Sequence, residues 1–554
     1  MTLRAAIPSA VLLILCAATG PGQDAAPSDA APPTIAQGGV VNLASRMPSR
    51  IASGAIAGGS LVSIRGWRLG PAAETTRAAG SALSASLAGV GVKIKQGPVE
   101  IDALPTMVSA TEIQALFPDS LPPGDVEVRV VRNGMPSRTP ARVRVVDSSF
   151  GAFSQNGRGW GPGDIRNADG QLNSLDHAAK PGEMVTLRGT GLGRAKGQES
   201  MQVLVGSREA RITSIAGGKG LAPGVDEIAF ALPEETPEGC YVPVRIRGGG
   251  FTSNTVTASV GRSGAACSTA SGWMGAQSDF QGKLAFLALV RVSLRLAITR
   301  REKADYTLDV GYASFEISKS GDQPNPFYMF PTPGTCTTLA GSMTLASLIT
   351  PLAKPVHAMG MPLDAGSIVT VQGVGSERKF QTARTSVLGG DAPWPQAQSK
   401  RFPLFLSPGD YTISTEGGRD VGPFSSTGRI TPAIDWTNRA GIATVDREHG
   451  VTVKWRAARP DGWVLITAIN SDEDSGGVGL CSCIEHASAG SFHVPPDALA
   501  NIPPTPAEAR GLPTNLLVVA ELPADYTAHT TSSGGVEHVV AFFASVSARN
   551  VSFR

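Results

Sequence analysis

The sequence predicts an all-β chain of several antiparallel β-sandwich domains in tandem, and three observations carry that expectation. Glycine and proline account for 65 and 41 of the 554 residues, a composition that disfavours long helices and suits short strands joined by tight turns. Apolar and polar residues alternate in runs such as Val126-Glu-Val-Arg-Val-Val131 and Val451-Thr-Val-Lys-Trp455, the two-residue period of a strand with one buried face. Two segments about 120 residues apart share one layout, as an internal repeat does. The chain is too long for one hydrophobic core and fits roughly three to five domains.

Taken in order, residues 1–22 read as a secretory signal peptide: Arg4 supplies the positive charge, Ala10 to Ala18 the apolar stretch, and small residues follow through Gly20 and Gly22. Leu15 precedes Cys16 where a lipobox needs a small residue, so free secretion is expected over lipidation. Residues 23–37 read as a linker. The repeat follows, in one sandwich over 38–148 and another over 149–262. Ala57 to Gly70 matches Lys180 to Gly193 without a gap, and Gly59, Gly66, Leu69 and Gly70 recur as Gly182, Gly189, Leu192 and Gly193. Glu112 to Pro118 and Gly124 are echoed by Glu227 to Pro233 and Gly239, each followed by an alternating strand. Gly59, Gly66, Gly70, Gly182, Gly189 and Gly193 are expected to serve turns; no P-loop lysine follows them, which removes a phosphate cradle.

Ser263 to Gly272 lies in a Ser- and Gly-rich linker over 263–277. Beyond it, Leu287 to Leu296, Tyr306 to Ile317, Ser367 to Gln372 and Phe405 to Ile413 continue the strand pattern. This half is expected to divide near Ser426 into a β-rich domain over 278–426 and a β-rich C-terminal domain over 427–554. The longest apolar stretch, Leu284 to Ile298, is interrupted by Arg291 and Arg295, so no transmembrane segment is expected.

Val40 to Ser45, Gly59 to Gly66, Asn167 to Ser174 and Thr190 to Gly193 together resemble the IPT/TIG-type immunoglobulin-like modules found in tandem in secreted acidobacterial proteins. The resemblance covers about residues 38–262 and implies immunoglobulin-like folds with an extracellular structural or binding role. Its pattern is one of turns and core strands, so it carries no catalytic residue over. Trp67 and Arg68 depart from it, standing where small or polar turn residues are usual. Gly418 to Pro423 and Asp435 to Asn438 are vaguely similar to C-terminal segments of the same group, which names no activity.

Charge and motif content narrow the chemistry. With 48 Lys and Arg against 46 Asp and Glu, the formal charge is +2, which leaves no field for nucleic acid. Five cysteines follow the signal, and Cys240 with Cys267 is the pair expected to form a disulfide, leaving Cys336, Cys481 and Cys483 to share one bridge and a spare thiol. There is no Gly-x-Ser-x-Gly elbow and no His-Glu-x-x-His, and the seven histidines are scattered. No cofactor is expected. Weak calcium candidates are Asp472 and Asp474 in one acidic loop and Asn167 and Asp169 in another, although Asn-x-Asp-Gly also suits a turn for backbone reasons alone. Trp67, Trp160, Trp394 and Trp463 lie in loop-like contexts, and Trp436 and Trp455 in strands. The resulting expectation is a non-enzymatic secreted or cell-surface protein with a structural or binding role, in adhesion or in capture of an extracellular protein or polysaccharide. The alternative is a secreted carbohydrate-active enzyme or accessory with acidic groups in 278–554.

Overall fold

The computed structural model describes residues 31–194, 201–262, 266–267, 282–297, 303–318, 330–341, 361–381, 404–472, 477–506, 515–522, 529–530 and 533–554, apart from 50, 79, 81, 218–220 and 375. The signal segment 1–22, most of the linker 263–277, Asp474 and Trp394 lie outside the described residues. The architecture is all-β, with tandem immunoglobulin-like sandwiches first and a larger two-layer module after them.

The first sandwich contains β1 (Thr34–Asn42), β2 (Leu61–Trp67), β3 (Val90–Gln96), β4 (Val99–Val108), β5 (Glu112–Leu116), β6 (Gly124–Arg132) and β7 (Ala141–Val146). They run in spatial order β1-β2-β5-β4-β3-β6-β7. Alternation places Val62, Ile64, Val92, Ile94, Ile113, Val126 and Val128 in one core. Since β1 begins at Thr34, the expected linker over 23–37 ends earlier than its composition suggests. The second sandwich contains β8 (Gly151–Ala152), β9 (Met184–Thr190), β10 (Met201–Val205), β11 (Arg208–Gly217), β12 (Asp226–Ala231), β13 (Gly239–Gly248) and β14 (Val256–Val260). Their order β8-β9-β12-β11-β10-β13, with β14 on β13, retraces the first.

The correspondence extends to single residues. Arg65 stands opposite Glu112 across β2 and β5, as Arg188 stands opposite Glu227 across β9 and β12. A bulge leaves Thr106 unpaired in β4 and Thr213 unpaired in β11. The two threonine hydroxyls donate to equivalent carbonyls, Gln114 at 3.2 Å and Ala229 at 3.1 Å. A bulge repeated with its side-chain bond is a feature of the fold, not a local defect.

The six glycines divide into two groups, which corrects the expectation that all serve turns. Gly59, Gly182 and Gly193 have φ of +78°, +79° and +57°, turn conformations that side chains with a Cβ rarely adopt. Gly66 and Gly189 lie inside β2 and β9, where the neighbouring strand leaves no room: a Cβ would meet the Thr34 carbonyl at 2.1 Å or Phe150 Cζ at 2.2 Å. Gly70 likewise makes room for the Ser109 carbonyl, which a Cβ would meet at 2.8 Å.

The third module contains β15 (Gly282–Ala297), β16 (Lys303–Ser318), β17 (Thr335–Gly341), β18 (Ile368–Gly373), β19 (Ser376–Gln381), β20 (Gly409–Thr415), β21 (Phe424–Ile430), β22 (Val451–Arg456), β23 (Trp463–Asp472), β24 (Gly477–His486), β25 (Leu516–Leu522) and β26 (His538–Asn550). The expected division near Ser426 does not hold, because seven strands of one nine-stranded sheet run β17-β24-β23-β25-β26-β15-β16 through both halves. Its central contact, β15 with β26, is parallel and joins residues from opposite ends of the module. Two smaller sheets cover one face. The sheet β19-β18-β20-β21 packs Val371, Ile413 and Phe424 on Leu287, Leu289 and Phe543. The sheet around β22 packs Trp436, Val453 and Trp455 on Ile466, Ala468 and Val519.

Candidate functional site

The residues that sequence singles out for chemistry are dispersed or already satisfied. Asn167 is buried in a turn, where its Oδ1 accepts from Asn173 Nδ2 at 3.0 Å and its Nδ2 donates to the His177 carbonyl at 3.0 Å. The Asp169 carboxylate accepts from the Gln171 N–H and lies 2.9 Å from His177 Nε2. The backbone N–H bond of Gln171 and the contact with His177 hold this carboxyl below its usual range. These oxygens close the hairpin through bonds among themselves. Asp472 ends β23, and its partner Asp474 lies outside the described residues.

The histidines assemble no catalytic set among the described residues. His449 Nδ1 lies 2.9 Å from Asp446 on an exposed turn, His493 bonds Thr452, and His486 stacks on Trp463 with ring centroids 4.1 Å apart. Cys481 is the one free thiol among the described residues, and burial pushes it up to about 12, which removes the thiolate a nucleophile needs. Cys336, Cys481 and Cys483 cluster within 4.8 Å, but Cys336 is bonded to Cys483, so the trio offers no thiolate set for a metal. Cys240 is bonded to Cys267.

Among the described residues, the aromatics form no platform either. Trp463, expected in a loop, is buried at the start of β23, because that strand crosses the middle of the large sheet. Trp436 and Trp455 are core residues whose indole N–H groups donate to Asn438 and the Ala487 carbonyl. Trp67 is 58% exposed. The adjacent Arg68 holds a left-handed φ of 58° and donates to the Pro32 carbonyl and Thr34 Oγ1, both at 3.3 Å. Gly191 fills the equivalent place in the second sandwich, also with positive φ.

The most elaborate polar arrangements are the seams between modules, which motif reading misses. Asn42, at the end of β1, is 1% exposed and donates to the Ser149 and Thr190 carbonyls of the second sandwich. Thr190 Oγ1 accepts in return from the Leu61 N–H at 2.9 Å. At the second seam, Arg245 of β13 is 1% exposed, 2.6 Å from Asp497, and donates to the Cys336 carbonyl. Asn501 Nδ2 donates to the Thr252 and Ser253 carbonyls beside it. Apolar packing seals the joint, with Leu175, Tyr241 and the Cys240–Cys267 pair against Leu284, Trp463 and Leu522. Arg245 follows Val244 in an alternating strand and so reads as solvent-facing; only the third module makes that face interior.

No protein-family model matches the sequence, and no curated protein matches it. Among solved structures, SGBP-B of the Bacteroides ovatus mixed-linkage glucan utilization locus, in complex with a mixed-linkage heptasaccharide, is 11% identical with a TM-score of 0.13, over 76% of this chain and 79% of that one. Domains 5–6 of the S-layer protein SbsC align at 10% identity and a TM-score of 0.15, over 41% of this chain and 98% of theirs. The titin Ig tandem A164–A165 aligns at 9% identity and a TM-score of 0.12, over 38% of this chain and 95% of its own. Likenesses this slight carry no argument about activity.

Proposed function

We propose that this chain is a non-enzymatic extracellular binding protein in which two immunoglobulin-like modules hold a larger β-module in a fixed pose for the capture of an extracellular polymer. The observation that carries this reading is the pair of buried polar seams. Asn42 and the Arg245–Asp497 pair are desolvated between modules, and groups of that kind are stable only when their partners stay in register. Residues so placed restrict the module-to-module hinge that a loosely linked string would keep. Two disulfides support an oxidising compartment. No helix among the described residues is long and apolar enough to cross a membrane.

The test incubates the full chain with insoluble polysaccharides, neutral and acidic, and follows both depletion of protein from solution and release of reducing sugar. Depletion without release is the expected result. Sugar release that a single Asp or Glu substitution abolishes would establish the carbohydrate-active alternative and overturn this reading.

A further inference from the structure

Three arginines meet at one end of the nine-stranded sheet. Arg295 of β15 and Arg549 of β26 are register partners on adjacent parallel strands, so their side chains leave the sheet side by side. Arg439, in the short turn Arg439–Gly441, lies across them. Its Nη2 donates to the Ser293 carbonyl at 3.0 Å and the Ala548 carbonyl at 2.7 Å, and Arg549 Nη1 donates to the Arg439 carbonyl.

Among the described residues, the charges around this cluster do not balance. Asp305 is the carboxylate that the described residues bring to it, 3.9 Å from Arg439 Nη2 and with a side chain 62% exposed. Arg549 is 4% exposed and the Arg439 side chain 17%. Arg295 makes no hydrogen bond or ion pair to any described residue, and the Nε atoms of Arg295 and Arg439 are buried without a partner. Burial holds Arg439 below the ordinary guanidinium value, and Arg295 and Arg549 add to that while Asp305 opposes it. Burial and then Arg295 depress Arg549 in the same direction.

The same strand pair shows what a closed arrangement looks like. Four residues away, Arg291 binds Asp309 through two bonds of 2.8 and 2.9 Å, and Asp309 also accepts from the Phe405 and Leu406 N–H groups. Asp309 is 2% exposed and fully engaged. Arg295 also stands opposite an aspartate, Asp305, but forms no such pair. Guanidinium groups held together, part-buried and short of acceptors are complementary to an anion with several oxygens.

We propose that Arg295, Arg439 and Arg549 form a binding site for an oxyanion, the carboxylate or sulfate group of an acidic polysaccharide. The polymer as source rests on the reading of the preceding section; the oxyanion site does not. Asp305, exposed and 3.9 Å from Arg439 Nη2, is a competing internal carboxylate.

The test uses the full chain, its Arg295→Gln and Asp305→Asn variants, and three probes: sodium sulfate balanced against sodium chloride at constant ionic strength, dextran sulfate, and uncharged dextran. Wild-type protein is expected to show a saturable rise in Tm of about 2 to 4 °C in sulfate and to bind dextran sulfate but not dextran. Arg295→Gln loses both responses and in chloride melts no lower than wild type, because it removes an uncompensated charge. Asp305→Asn binds sulfate severalfold more tightly. Equal responses in wild type and Arg295→Gln overturn the site, as does a lower Tm of Arg295→Gln in chloride without loss of anion response. A sulfate response confined to the free ion keeps the site and overturns the polymer as its source. Binding of dextran and dextran sulfate alike, unchanged in Arg295→Gln, overturns the site and leaves the preceding reading standing.

Discussion

A methyl group on Gly189 would sit 2.2 Å from Phe150 Cζ and 2.3 Å from the Gly151 carbonyl, so Gly189→Ala forces β8 away from β9. The expected cost is about 1 to 3 kcal/mol, read from denaturant midpoints, with Gly66→Ala behaving alike in the first sandwich. Cys481 is silent for another reason: with its thiol at about 12 and buried, it resists thiol reagents in the folded state at pH 8. Unfolding releases it beside the Cys336–Cys483 bond, where exchange scrambles the pairing. Cys481→Ala is therefore expected to make thermal unfolding more reversible, as checked by rescanning. Glu112 couples the first sandwich to pH. Burial pushes its carboxyl up, but the Ser63 hydroxyl and the Arg46 guanidinium outweigh that and hold it below its usual value. A carboxylate depressed in this way adds stability above its unfolded pKa and loses it as pH falls through the folded one. The Tm gap between wild type and Glu112→Gln should therefore be widest near neutrality and close as pH falls below about 4.

Strand by strand, the sequence is most readable where neighbours in space are also close in the chain. The repeat in 38–262 is legible because hairpin-linked strands such as Val90–Gln96 and Val99–Val108 carry their register in local alternation and turn glycines. β15 and β26 instead carry continuous apolar runs, as strands buried on both faces do, and nothing in either names the other as its partner, which is why a cut near Ser426 looks reasonable from sequence alone. Arg245 is misread for a related reason, since alternation assigns faces but not what covers them. The 167–173 turn is ambiguous in sequence because oxygen-rich turns are alike whether they bind a cation or bond to themselves. The two disulfides also differ at this scale. Cys336–Cys483 closes 147 residues and Cys240–Cys267 closes 27, for which chain entropy alone gives about 5 and about 3.6 kcal/mol. Cys336→Ala is thus expected to lower the Tm more than Cys267→Ala.

Across the whole molecule, the seams decide whether three modules act as one body. Arg245→Ala leaves Asp497 facing a desolvated gap, at a cost of about 3 to 5 kcal/mol. Small-angle scattering should then report a larger radius of gyration, whereas Arg291→Ala, remote from the seam, should leave the dimensions unchanged. The parallel pairing of β15 with β26 bears on how the molecule is made. Lys283 N–H reaches Glu537 across 254 residues of chain, and β26 lies between β25 and β15 in the middle of the large sheet. The first two sandwiches can fold while synthesis continues, because their partners are already in hand. The third cannot: until its last strand arrives, the long β15–β16 hairpin presents a bare inner edge to whatever else is near. β26 is the keystone of the largest module, set after the strands on either side of it.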